Sequence, residues 1–191
     1  MKSTYIQVFY IIIVVTCIVL NGRQRILARP LALLSVGLSL YIYYSAGLYA
    51  KSLTKCILIV MNIYGWYHWQ YGGKNKTTLK VSTLPRGYLA TLMLLGALFA
   101  WGLGKVLTIY PDADLPYWDS LNAVMLLLAQ WLLMRKKLET WFVFIPTDIL
   151  YTILLYYKGL YLLTGLHIFY IFLAVNGYRS WLWSYRQEKN I

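Results

Sequence analysis

The chain has 191 residues, 60% of them hydrophobic and only 13% charged, with a mean hydropathy of +0.57. A water-soluble surface on a chain of this size needs far more charge, which excludes a soluble domain and leaves an all-α membrane protein in a lipid bilayer. The formal net charge of +12 does not point to nucleic acid, because Lys and Arg stand in short clusters between apolar runs, as in cytoplasmic loops.

A bilayer core about 30 Å thick takes roughly 20 helical residues. Apolar runs of that order fall near residues 4–20, 30–49, 54–71, 87–109, 117–134, 141–157 and 161–183, which predicts about seven transmembrane helices. The first run, Tyr5 to Leu20, is followed by Arg23 and Arg25 rather than by a small-residue cleavage site. It is therefore read as a helix that stays, not as a signal peptide. Cys17 and Cys56 each stand alone inside an apolar run and are read as packing residues.

Basic residues follow the odd-numbered runs: Arg23, Arg25 and Arg29; then Lys74, Lys76, Lys80 and Arg86; then Arg135, Lys136 and Lys137; then Arg186 and Lys189. The alternate links hold Lys51 and Lys55, Lys158, and the acidic stretch YPDADLPYWD from Tyr110 to Asp119. The positive-inside rule then puts the amino terminus outside and the carboxyl terminus in the cytoplasm.

A constant shift of 112 positions aligns the chain with itself without a gap. Arg23 falls on Arg135 and Arg25 on Lys137; Tyr44, Gly47 and Tyr49 fall on Tyr156, Gly159 and Tyr161; Gly65 and Trp69 fall on Gly177 and Trp181. The expected organisation is a three-helix repeat over 4–71, a linker helix over 87–109, a second three-helix repeat over 117–183, and a cytoplasmic tail over 184–191. Because a helix intervenes, the two repeats run parallel, a 3+1+3 plan in which transporters hold substrate near the midplane between halves. Gly96, Ala100 and Gly104 form a small-residue stripe suited to close packing of the linker helix.

Several polar and aromatic residues stand inside or at the ends of these runs. Asn62, Gly65, Trp66 and Trp69 share a helical face by spacing. Asn62 and Trp66 could bind a planar, hydrogen-bonding ring, or could belong to an interfacial aromatic belt. Trp69, Tyr71 and Trp183, nearer the helix ends, are assigned to the belt. Asp148, in ETWFVFIPTDILY, is the sharpest signal: an ionised carboxylate at mid-helix costs at least about 2.5 kcal/mol. It is expected to face a wet cavity or to hold helices together through a partner. Trp141, Phe144 and Tyr151 share its face, and Pro146 is expected to loosen the helix beside it.

Asp119 and Asn122 lie one turn apart beside Trp118, and Asp119 could also serve the helix dipole. Gln130 and Asn176 each need a hydrogen-bonding partner. His68 and His167 are read as isolated polar residues. No catalytic motif, metal-ligand spacing or phosphate-binding loop occurs, so no enzyme, metal or cofactor is expected.

The ordered motifs Asn62-Ile-Tyr-Gly-Trp-Tyr-His-Trp69, Pro111-Asp-Ala-Asp-Leu-Pro-Tyr-Trp-Asp-Ser120, Met134-Arg-Lys-Lys-Leu-Glu-Thr-Trp141, Gly159-Leu-Tyr161 and Asn176-Gly-Tyr-Arg-Ser-Trp181 resemble the PnuC family of bacterial vitamin transporters. The resemblance spans about residues 25 to 183. It implies a SWEET-like 3+1+3 fold in the inner membrane, a homotrimer, and uptake of nicotinamide riboside by facilitated diffusion with cytoplasmic phosphorylation as the trap. Relatives that carry thiamine, and less closely riboflavin, are the alternatives the resemblance leaves open. Two departures stand out: Phe144 replaces a second Trp common in nicotinamide riboside carriers, and Asp148 stands where others often have Asn. The expected substrate-binding set is Asn62, Trp66, Trp118, Asp119, Asn122, Gln130, Trp141, Asp148 and Asn176.

Overall fold

The computed structural model describes residues 2–45, 47, 49–85, 87–109, 115–157 and 159–189. Lys158 and the acidic link from Tyr110 to Asp114 lie outside the described residues. Among those described, seven α-helices follow one another: α1 (Lys2–Gly22), α2 (Ala28–Ser45), α3 (Tyr49–Tyr71), α4 (Tyr88–Leu107), α5 (Pro116–Met134), α6 (Thr140–Tyr157) and α7 (Tyr161–Lys189). The expected runs match these elements closely, except that α7 continues unbroken through Lys189 and so takes in most of the stretch expected as a tail. Pro146 sits inside α6 without interrupting it. Among the described residues three helices, α4, α6 and α7, are long and apolar enough by themselves to cross a membrane.

The helices close into a ring. α1 packs against α2, α2 against α3, α3 against α5, α5 against α6, α6 against α7, and α7 returns to α1. α4 stands outside, laid along α5. The small-residue stripe makes that approach possible: Ala100 and Gly104 are buried, and a Cβ on Gly104 would run into the ring of Tyr117. Such small residues let helix backbones come together where lipid offers no hydrophobic drive.

The 112-residue shift recurs in the backbone. Gly47 and Gly159 adopt φ of 73° and 72°, and each donates its N–H to the carbonyl three residues back, Tyr44 at 3.1 Å and Tyr156 at 3.0 Å. Glycine reaches that left-handed region without the Cβ penalty, so both hairpins turn in the same way. Gln24 and Lys136, also related by the shift, both have positive φ. The pattern extends to contacts between halves. Gly22 meets Gly177 where α1 crosses α7, and Met134 meets Gly65 where α5 crosses α3. Trp181 Nε1 donates to the Asn21 carbonyl at 2.9 Å, and Trp69 Nε1 donates to the Leu133 carbonyl at 3.0 Å. Each pair is the other displaced by one repeat, so the two seams of the ring are built alike.

Candidate functional site

The interior of the ring is polar at one level and plugged at another. Asp148, at mid-helix on α6, is bound by α7: its Oδ1 lies 3.0 Å from Nδ1 of His167, and both side chains are mostly buried. With the carboxylate ionised, Nδ1–H donates to it. His167 was expected to be isolated; the structure corrects that. The reason is hairpin register: Asp148 lies eleven residues before Gly159 and His167 eight after it, so the antiparallel α6 and α7 bring them to within about one helical turn of the same level. Tyr151 and Tyr170 stand edge-on to the imidazole at 4.8 and 5.2 Å between ring centres.

α2 and α6 are not neighbours in the ring, yet Tyr43 of α2 and Tyr151 of α6 lie within electrostatic reach of each other, and both reach Tyr10 of α1. Tyr170 likewise reaches Tyr10 and Asp148, and Tyr151 reaches Asp119. Such reach between helices that are not neighbours in the ring fits side chains turned toward its interior. The cluster thus gathers hydroxyls, carboxylates and one imidazole from α1, α2, α5, α6 and α7.

Asp119 lies in the first turn of α5, where the helix dipole favours a carboxylate, and no side chain caps that helix. Trp118 and Asn122 line a crevice of about 20 Å³ between α5 and α6, together with Thr147 and Tyr151. That space suits a water molecule rather than a ring-bearing solute.

Asn62 and Gln130 meet directly. Asn62 is fully buried; its Nδ2 donates to the Leu58 carbonyl at 2.8 Å, and its Oδ1 accepts from Gln130 Nε2 at 3.2 Å. This bond ties α3 to α5 across one seam of the ring. Trp66, on the same helix face by spacing, is 37% exposed. Asn176 is exposed and makes no described hydrogen bond.

The end of the ring that carries the basic loops is closed by Trp69, Trp141 and Trp181, all but fully buried. Trp141 meets Trp181 edge-on at 5.4 Å, and Trp69 lies 6.0 Å from Trp181. Trp69 therefore belongs to this plug and not to an aromatic belt, whereas Tyr71 and Trp183 are exposed, as belt residues are. Arg29, fully buried, stacks 3.8 Å from the centre of the Trp69 ring and donates from Nη2 to Asn21 Oδ1 at 2.9 Å. Among the described residues its Nε and Nη1 have no partner, nor does Trp141 Nε1. Of the expected set, then, Trp141 sits in the plug, Asn62 and Gln130 at a seam, and Trp118, Asp119, Asn122 and Asp148 around the polar level. Among the described residues no group of His, Cys, Asp or Glu is arranged to hold a metal ion.

A family model described as nicotinamide mononucleotide transporter matches residues 4–183. The nicotinamide riboside transporters PnuC of Escherichia coli (strain K12) and Shigella flexneri are each 28% identical over 198 residues, covering 90% of this chain and 82% of theirs. The crystal structure of the vitamin B3 transporter PnuC superposes with a TM-score of 0.77 at 19% identity, over 97% of this chain and 84% of that one. This last likeness establishes a shared fold.

Proposed function

We propose that this chain, which belongs to the nicotinamide mononucleotide transporter family, carries nicotinamide riboside across the bacterial inner membrane by facilitated diffusion. The family match over residues 4–183 carries the reading, and the names of the PnuC relatives supply the cargo. Phosphorylation of the riboside in the cytoplasm makes the flux one-way, because a phosphate adds about −1.5 to −2 charge and removes the product from the equilibrium. The basic loops mark the cytoplasmic side, with the amino terminus outside. The working assembly is a homotrimer, as the resemblance implies.

The riboside carries a pyridinium cation and a hydrogen-bonding ribose. Asp148, steadied by His167, balances the cation; Trp118 and Tyr151 offer flat rings; Asp119 and Asn122 read hydroxyls. Asn62 and Gln130 exchange their mutual bond for one to the ligand as the seam between halves opens. Trp66 and Asn176 come within reach only when the halves move, and Trp141 forms the floor that blocks passage until then. Two parallel three-helix units rocking around a midplane site give alternating access.

Isothermal titration in detergent tests this reading. Wild-type protein is expected to bind nicotinamide riboside, with Asp148→Ala weakening it by at least about tenfold, or ~1.4 kcal/mol. The circular-dichroism melt should stay cooperative. Wild-type affinity in the variant removes Asp148 from the site, and binding of thiamine in place of the riboside corrects the cargo.

A further inference from the structure

We propose that the cleft on the outer flank of α4 and α5 binds the head group of an anionic phospholipid. The cleft, about 240 Å³, lies at the basic end of α5 and is lined by Trp131, Arg135 and Lys137 together with Leu84, Tyr88 and Leu92. Because α4 stands outside the ring, packed along α5, this groove between α4 and α5 is separate from the polar level around Asp148.

Its two cations are held in place. Arg135 stacks 4.4 Å from the centre of the Trp131 ring, Trp131 stacks on Tyr64 at 5.9 Å, and Tyr64 stacks on His68 at 5.3 Å. A guanidinium lying on an aromatic face keeps the edges of its donor fork available to a phosphate. Lys137 Nζ donates to Ser82 Oγ at 2.9 Å and to the Thr83 carbonyl at 3.2 Å, which leaves it one proton and its charge. No carboxylate among the described residues pairs with Arg135 or Lys137. Glu139, two residues on from Lys137, accepts from the backbone N–H of Leu84 at 2.8 Å with one oxygen and buries the other.

The apolar part of the lining decides between possible anions. A free phosphate needs only the cations. Leu84, Leu92 and the exposed ring of Tyr88 add affinity only for a ligand whose phosphate is joined to acyl chains. Basic pockets between helices on the cytoplasmic side collect such lipids.

The test compares phosphatidylglycerol, phosphatidylcholine and millimolar inorganic phosphate on detergent-purified full-length protein, by native mass spectrometry and thermal melting. Phosphatidylglycerol should form adducts that survive activation and should raise the melting temperature, whereas the other two should do neither. Arg135→Gln should lower adduct occupancy roughly fivefold, the worth of one cation toward an anionic lipid. Tyr88→Glu, which places a carboxylate in the cleft at an exposed helix amino terminus and so suits the fold, should do the same. Both variants should still bind the transported solute. Equal retention of phosphatidylcholine, a matching shift with phosphate alone, or unchanged occupancy in either folded variant overturns the proposal.

Discussion

Lys136 lies in the loop between α5 and α6, outside the membrane-spanning helices, yet only 6% of it is exposed. Its Nζ donates to the Leu79 carbonyl at 2.8 Å and stands 4.5 Å from the centre of the Trp69 ring. Burial pulls its pKa down from 10.5 to about 8, and the nearby guanidinium of Arg29 adds to this, while Glu188 on α7 opposes it. Below about pH 8 the folded chain must hold a buried charge that the unfolded chain keeps in water. Between about pH 8 and 10.5 the unfolded chain binds the extra proton, so stability rises with pH in that window. The wild-type melting temperature, taken relative to Lys136→Met, should therefore climb from pH 8 to 10.5. A flat or falling difference would show that the ammonium is not desolvated. None of this could be read in the sequence, where Lys136 is one of three basic residues in a row. Its burial depends on the positive φ that turns it back under the α3–α4 loop.

The helices illustrate what composition can and cannot tell. Their number and limits follow from the length of the apolar runs, and their pairing from the shared glycines. The facing of single residues does not follow, since one step along a helix turns a side chain by about 100°. Gly177 is buried at the α1–α7 seam, so its neighbour Asn176 points elsewhere and is exposed. Trp69 could not be told from a belt residue because a plug and a belt use the same amino acids at helix ends. His167 became legible only through the α6–α7 register. The glycines themselves give a test. A Cβ on Gly177 would fall inside the ring of Trp141, which is held by Trp181 and Phe144. The repeat-related Gly65 faces the flexible end of Met134. Gly177→Ala should thus destabilise the protein by about 1–3 kcal/mol in a denaturant or thermal melt, and Gly65→Ala by distinctly less. Equal costs would mean that the Trp141 ring can step aside.

Taken together, the ring has two seams, α1 with α7 and α3 with α5, and a rocking motion of one half against the other must open both. At the basic end the seams are sealed by the tryptophan plug and by the Gln24 side chain, whose Nε2 donates to Ser184 Oγ at 2.8 Å across the α1–α7 seam. A bridge at that point should stop transport without touching the polar level around Asp148. We predict that a chain carrying Gln24→Cys and Ser184→Cys, with the exposed Cys56 changed to Ser, loses uptake into proteoliposomes when joined by a short bifunctional thiol reagent. Solute binding in detergent should weaken but persist in the bridged protein, because the groups at the polar level, Trp118, Asp119, Asn122 and Asp148, are not sealed by these residues, whereas those that depend on the seam opening are lost. Reducing the bridge should restore uptake, and either cysteine alone should leave it unaffected. If bridged protein transports at the unbridged rate, the basic end does not part at this seam. The two related contacts of Trp69 and Trp181 would then hold a static floor rather than a gate.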